Sequence, residues 1–160
     1  MRLRVKIFNS IFQKEIAKCN KPIILKRHFG SSLRDFLGAA EHLIVFGNKK
    51  IILCERGVSI PHTHKETSRF ALDLQIVPAI KEICKYPVIV DPSHACFWAK
   101  WVPSLTLASV ASGCDGLIIE MHPNPKKSAV DPLQPLNFKE FNSLRLKLKK
   151  IAKSINRNIF

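Results

Sequence analysis

Three side chains, His94, Glu120 and Asp131, are of the types that bind divalent metals. Imidazole and carboxylate together suit Mn, Fe or Zn. The apolar run Pro87–Val90 breaks into Asp91-Pro92-Ser93-His94, and the run Gly116–Ile119 breaks into Glu120-Met121-His122. Asp131 lies in the loop that follows. A second group is cationic. Lys26-Arg27 follows the run Pro22–Leu25, and Glu55-Arg56-Gly57 follows the run Lys50–Cys54, with Arg69 a further basic candidate. Arginine grips phosphate with a planar fork, whereas lysine acts as a point charge. Cations converging beside a metal site would suit phosphorylated substrates. Spacing alone leaves plainer readings open: His94 as a structural hydrogen-bonder, Glu55 as the ion-pair partner of Lys26 or Arg56, Arg69 as an exposed helix residue. His62 and His64, two apart in a proline-containing loop, read as loop residues, and His122 as exposed.

For these side chains to meet, the apolar runs must be neighbouring strands. Each run is continuous rather than alternating, the pattern of a strand buried on both faces. Helical patterns separate them. Ser32 can cap a helix through Leu33, Phe36, Leu37, Ala40 and Leu43, ended by Gly47-Asn48. Leu72 to Ile83 is a second, Pro103 opens a third that closes at Gly113, and Phe138 to Ile155 is the last. This β-α alternation, with a repeat of roughly 30 residues, implies parallel strands and right-handed crossovers. Every residue of interest follows a strand, and the carboxyl-terminal face of the strands is where α/β barrels keep their active sites. An open doubly wound sheet would use the same edge, but the chain has no glycine-rich phosphate loop. The expected fold is therefore α/β, with four βα units forming half of a (β/α)8 barrel. A full barrel takes about 250 residues. Half of one leaves two open strand edges, which invites association with a partner or a second copy.

The chain has 160 residues, 46% of them apolar and 24% charged, as expected for one globular domain. It has no run of about 18 uncharged apolar residues that could span a membrane, and Met1 to Ser10 lack a signal-peptide pattern; a cytoplasmic location is expected. The five cysteines, Cys19, Cys54, Cys84, Cys96 and Cys114, form no C-x-x-C pair and argue against disulfide scaffolds and structural zinc. Most are expected to pack as small hydrophobes. The net charge of +14 admits nucleic-acid binding in principle. No nucleic-acid signature accompanies it, however, and Lys147, Lys149, Lys150, Lys153 and Arg157 sit on an amphipathic pattern with Leu144, Leu148, Ile151 and Ile155 that reads as a solvated helix face.

Four segments together carry a resemblance: Lys-Pro-Ile-Ile-Leu-Lys-Arg (21–27), Ile-Leu-Cys-Glu-Arg-Gly (52–57), Val-Ile-Val-Asp-Pro-Ser-His-Ala (88–95) and Gly-Leu-Ile-Ile-Glu-Met-His-Pro-Asn-Pro (116–125). In order and spacing, from about Asn9 to Phe141, the chain resembles 3-deoxy-7-phosphoheptulonate (DAHP) synthase. That family shares its barrel with 3-deoxy-octulosonate 8-phosphate synthase, an alternative assignment that the Asp-Pro-Ser-His-Ala form makes the lesser one. The resemblance implies the carboxyl-terminal half of the barrel. Residues 1–20 would be a remnant of unit 4, residues 21–141 units 5–8, and residues 142–160 the end of the last helix and a tail. It also implies an aldol-type condensation of phosphoenolpyruvate with erythrose 4-phosphate, in the shikimate pathway to aromatic amino acids. His94, Glu120 and Asp131 match metal ligands of the family. Lys26 and Arg56 match residues that hold phosphoenolpyruvate, and Arg27 and Arg69 lie at matching basic positions.

The departures carry their own expectation. The family's remaining metal ligand, a cysteine on an early strand, and its early Lys-Pro-Arg segment have no counterpart here. The Gly-Ala-Arg-Asn-like motif of the fourth strand is replaced by Leu3-Arg4-Val5-Lys6. The loop containing Pro61-His62-Thr63-His64 is longer. Cys96-Phe97-Trp98 replaces a small basic turn, and His28 and Pro132 stand where glycines are usual. The chain is thus expected to be inactive alone and to bind metal weakly at best. Either it is an enzyme component that works with a separately encoded amino-terminal half, or it is a non-catalytic remnant or basic interaction protein.

Overall fold

The computed structural model describes residues 2–3, 10–61 and 70–158. Arg69, His62 and His64 lie outside these described residues. A parallel sheet forms the centre, built from β1 (Arg2–Leu3), β2 (Ile23–Lys26), β3 (Ile51–Glu55), β6 (Val88–Val90) and β7 (Gly116–Leu117), side by side in that order. A short antiparallel pair, β4 (Val58–Ser59) and β5 (Phe70–Ala71), stands apart from it. The helices are α1 (Ser10–Lys18), α2 (Leu33–Val45), α3 (Ile76–Ile83), α4 (Pro92–Cys96), α5 (Val102–Ala111) and α6 (Phe138–Ser154). The expected α/β succession is therefore present, with all four anticipated strands in one parallel sheet.

Local chemistry explains the boundaries. Ser32 accepts from Asp35 N–H while Asp35 reaches back to Ser32 N–H, a reciprocal cap that starts α2; Asn137 and Glu140 start α6 in the same way. Helix α3 begins four residues later than the Leu72 start read from the sequence, because Phe70–Ala71 is drawn into pairing with Val58–Ser59. That hairpin rests on Gly57. Its φ of +94° is a left-handed conformation, and a Cβ there would sit 3.0 Å from Phe70 Cβ and 3.1 Å from Ala95 Cα. Glycine thus lets the chain turn sharply after β3 while Arg56 stays beside the sheet.

Two apolar clusters hold the fold. One packs α1, α2 and α3 onto the strands through Ile16, Phe36, Leu43, Leu53, Ile80 and Val90. The other joins α5 and α6 through Val102, Leu136, Leu144 and Leu148. Burying each such side chain fully stabilises the fold by roughly 1.5–3 kcal/mol. Cys96 and Cys114 are buried among them as small hydrophobes, Cys54 is buried outside both clusters, Cys84 is half-buried and Cys19 is exposed. The lysines of α6 are exposed opposite its buried Leu144, Leu148 and Ala152, as the amphipathic pattern required. Among the described residues no helix is long and apolar enough to cross a membrane.

The described sheet ends at β1 on one side and β7 on the other. Beside β7 runs a groove of about 490 Å³ whose lining includes Leu117, Ile119, Met121, Phe141 and Leu148. This is the free edge expected of half a barrel.

Candidate active site at the carboxyl ends of the strands

The register of the parallel strands brings distant residues together. Leu53 pairs with Val88 and Glu55 with Val90, and Lys26 lies opposite Cys54, so Lys26, Glu55 and Asp91 emerge at one end of the sheet. Past β6 the chain folds into the single turn of α4, with Pro92 in its first turn. The Asp91 carboxylate caps that turn by accepting the His94 N–H at 3.1 Å. This short helix, where the sequence suggested only a turn, delivers His94.

A continuous line of contacts follows. Lys26 Nζ lies 2.5 Å from Asp91 Oδ2. His94 Nδ1 lies 2.9 Å from Asp91 Oδ2, and His94 Nε2 lies 3.0 Å from Glu120 Oε1. The Gln134 amide donates to Glu120 Oε2 at 2.7 Å. Asp91 and Gln134 are fully buried, and Lys26 and His94 are 7% exposed. Burial alone would raise the Asp91 pKa, but the His94 hydrogen bond and the Lys26 charge outweigh it and hold the carboxyl below its usual range. The hydrogen bonds that His94 donates to Asp91 and then to Glu120 push its pKa up to about 9. The His94 hydrogen bond in turn draws Glu120 down.

The second cationic group is arranged differently from either plain reading of it. Glu55 pairs with Arg27, not with Lys26, which is taken by Asp91. Arg27 also contacts Asp73 Oδ2 at 2.7 Å and donates from Nε to Ser31 O. Burial raises the Glu55 pKa against the opposing Arg27 charge. Arg27 is therefore the clamp that ties β2 to β3 and to the start of α3. Arg56 is buried with its guanidinium 4.7 Å above the centre of the Phe70 ring. Phe70 stacks on Phe29 and meets Phe97, which joins the two substituted turns after β2 and β6 in one aromatic cluster.

Whether these residues fit a divalent metal is a question of donor chemistry. His94 turns Nε2 toward Glu120 while Asp91 holds Nδ1, the carboxylate–histidine arrangement that orients ligating imidazoles. Gln134 Oε1, beside Glu120, is buried and meets no donor among the described residues. Asp131 is exposed in its loop with φ +49°, and among the described residues no three His, Cys, Asp or Glu side chains converge as a metal site. His94 and Glu120 thus fit as two supported ligands, and Asp131 is not brought to them. Sequence reasoning missed Gln134, Asp73 and Ser93, whose hydroxyl accepts the Glu120 N–H. Only their nearness to the singled-out motifs could have marked them.

The chain as a whole is similar to known proteins. Residues 7–157 match the model of the DAHP synthetase I family. Over 136 residues the chain is 40% identical to phospho-2-dehydro-3-deoxyheptonate aldolase of Thermotoga maritima, covering 85% of this chain and 39% of that protein. A 2-dehydro-3-deoxyphosphooctonate aldolase of Francisella tularensis subsp. mediasiatica is 29% identical, with 89% and 55% covered. Two solved structures from Thermotoga maritima superpose on nearly all of the chain. A truncated 3-deoxy-D-arabino-heptulosonate 7-phosphate synthase gives a TM-score of 0.89 at 36% identity, covering 96% of this chain and 58% of that one. The phospho-2-dehydro-3-deoxyheptonate aldolase (DAHP synthase) gives 0.91 at 35%, with 99% and 46% covered. The five-stranded parallel sheet is therefore part of such a barrel, and the chain spans about half the length of the relatives it matches. The chain belongs to the DAHP synthetase I family.

Proposed function

We propose that these residues form the carboxyl-terminal half of a site that condenses phosphoenolpyruvate with erythrose 4-phosphate in an aldol-type reaction, releasing phosphate. The observation that carries this reading is the line Lys26–Asp91–His94–Glu120, buried except at the half-buried Glu120, at the carboxyl ends of β2, β6 and β7. Lys26 and Arg56 supply positive charge for the phosphate and carboxylate of phosphoenolpyruvate, where fixed donors favour developing negative charge. Arg27 adds to that field and, through Glu55 and Asp73, fixes the end of β2. Arg69 is a further candidate for phosphate. His94 and Glu120 would hold the divalent metal (Mn, Fe or Zn), with Asp131 joining them if its loop closes. When bound, such a metal polarises an aldehyde oxygen or activates water as a Lewis acid.

The outer positions of β1 and β7 in the described sheet support a second part of the proposal: these 160 residues are inactive until complementary βα units cover the sheet. The exposed Asp131 favours one other reading, a non-catalytic remnant.

Calorimetric titration separates the two. With Mn²⁺ present, phosphoenolpyruvate is expected to bind the chain, and Arg56→Met to weaken that binding about 10- to 100-fold, the range for losing one charge-assisted hydrogen bond. Absence of binding, or equal affinity in the variant, would favour the remnant.

A further inference from the structure

We propose that Gln134 is the positioning residue of Glu120, holding one carboxylate oxygen so that the other meets His94 Nε2. Its role toward a cation rests on the metal reading given above. Glu120 has one oxygen on each partner: Oε2 accepts from Gln134 Nε2 at 2.7 Å, and Oε1 lies 3.0 Å from His94 Nε2. Its backbone is fixed as well. The Glu120 N–H donates to Ser93 Oγ at 3.0 Å, and Glu120 O accepts from Leu136 N–H at 2.9 Å. The His122 N–H then donates to Leu136 O at 3.0 Å, so the segment after β7 runs beside the segment that carries Gln134. The loop is pinned from two further sides. Gln134 N–H closes a turn on Asp131 O at 3.2 Å, with Asp131 itself left-handed, and Leu133 O accepts from Ala99 N–H at 2.8 Å.

Gln134 also carries a second polar atom without a partner, as the buried Gln13 does elsewhere in the fold. The residue is fully buried, yet Oε1 meets no donor among the described residues. Leaving a buried acceptor unsatisfied costs its desolvation, so this orientation is unfavourable for stability. Turning the amide over would place Oε1 against the Glu120 carboxylate, two acceptors face to face. The Glu120 charge therefore fixes the amide. The fold accepts an orphan oxygen in order to hold this carboxylate, a local compromise that marks functional sites. Such outer partners of a ligating group typically change metal affinity 10- to 100-fold when removed.

Gln134→Met keeps the length of the side chain and removes both the donor and the orphan acceptor. The full chain is expected to bind Mn²⁺ about 10- to 100-fold more weakly by calorimetry, while its Tm is unchanged or higher. Unchanged affinity would overturn the proposal, as would a loss of affinity accompanied by a fall in Tm of the kind any packing residue gives. A second readout does not need the metal. The ring nitrogen resonances of His94 should move in metal-free Gln134→Met, because Oε1 of Glu120 is no longer held against Nε2. If the parent chain binds no Mn²⁺, the metal reading fails and these resonances decide. Movement would keep Gln134 as the residue that positions Glu120, and resonances identical to the parent's would overturn it.

Discussion

Asp91→Ala is expected to lower the folding stability of the metal-free chain by about 3–5 kcal/mol, the usual cost of removing one partner from a buried ion pair. Asp91 is fully buried and joined to both Lys26 and His94, so the substitution leaves Lys26 buried without its carboxylate. Urea denaturation near pH 6 measures this directly, and a loss below about 1 kcal/mol would contradict the assignment. The pH profile should change too. His94 titrates near 6.5 when unfolded and at about 9 in the folded chain, so its contribution is complete below pH 6.5 and disappears as the pH rises through 9. The parent therefore loses stability over that window. Asp91→Ala, lacking the hydrogen bond that raises His94 most, should lose much less there.

His94→Ala should reduce Mn²⁺ affinity by at least about 100-fold, beyond what outer partners typically contribute. Among the described residues His94 is the side chain that pairs with both Asp91 and Glu120, and its Nε2 is the nitrogen turned toward Glu120, the second proposed ligand. Calorimetric titration of Mn²⁺ into parent and variant is the check. Equal affinity would mean that whatever metal the chain holds is bound elsewhere.

Much of this architecture was legible in the residues. Continuous apolar runs such as Ile-Ile-Leu and Val-Ile-Val identify the parallel strands, although only one face is fully buried: Ile23, Leu25, Leu53, Val88 and Val90 pack in the core, while Ile24, Ile52 and Ile89 on the other face are half-buried. Ser32 and Asn137 mark helix starts because their capping is local chemistry, complete within four residues. Features made by tertiary contact were not legible. The β4–β5 pair spans two residues on each side and depends on Gly57 packing against Ala95, which no local pattern announces. Helix α1 drew no assignment, since Ser10–Lys18 mixes exposed Ile11 and Phe12 with buried Ile16 and Ala17.

At the site, motif spacing found His94 and Glu120 but not their supports. A charge pattern cannot tell that Arg27 serves Glu55 and Asp73 while Lys26, next to it, serves Asp91. Adjacent strand residues point to opposite faces, and only the packed sheet shows which carboxylate each one meets. Gln134 lies in a proline-flanked loop, where glutamine is ordinarily solvated; its burial follows from the fold of residues 131–136 onto the segment after β7.

If these residues make half of a condensing site, turnover needs the other half. Phosphate release from phosphoenolpyruvate with erythrose 4-phosphate and Mn²⁺ tests it most directly. The chain would be assayed alone and then mixed with a polypeptide carrying the part of the Thermotoga maritima relative that lies outside the matched region. Background release is expected from the chain alone, and release dependent on the sugar phosphate and the metal is expected from the mixture. Robust metal-dependent turnover by the chain alone, or none in a mixture shown to form a stable complex, would contradict it.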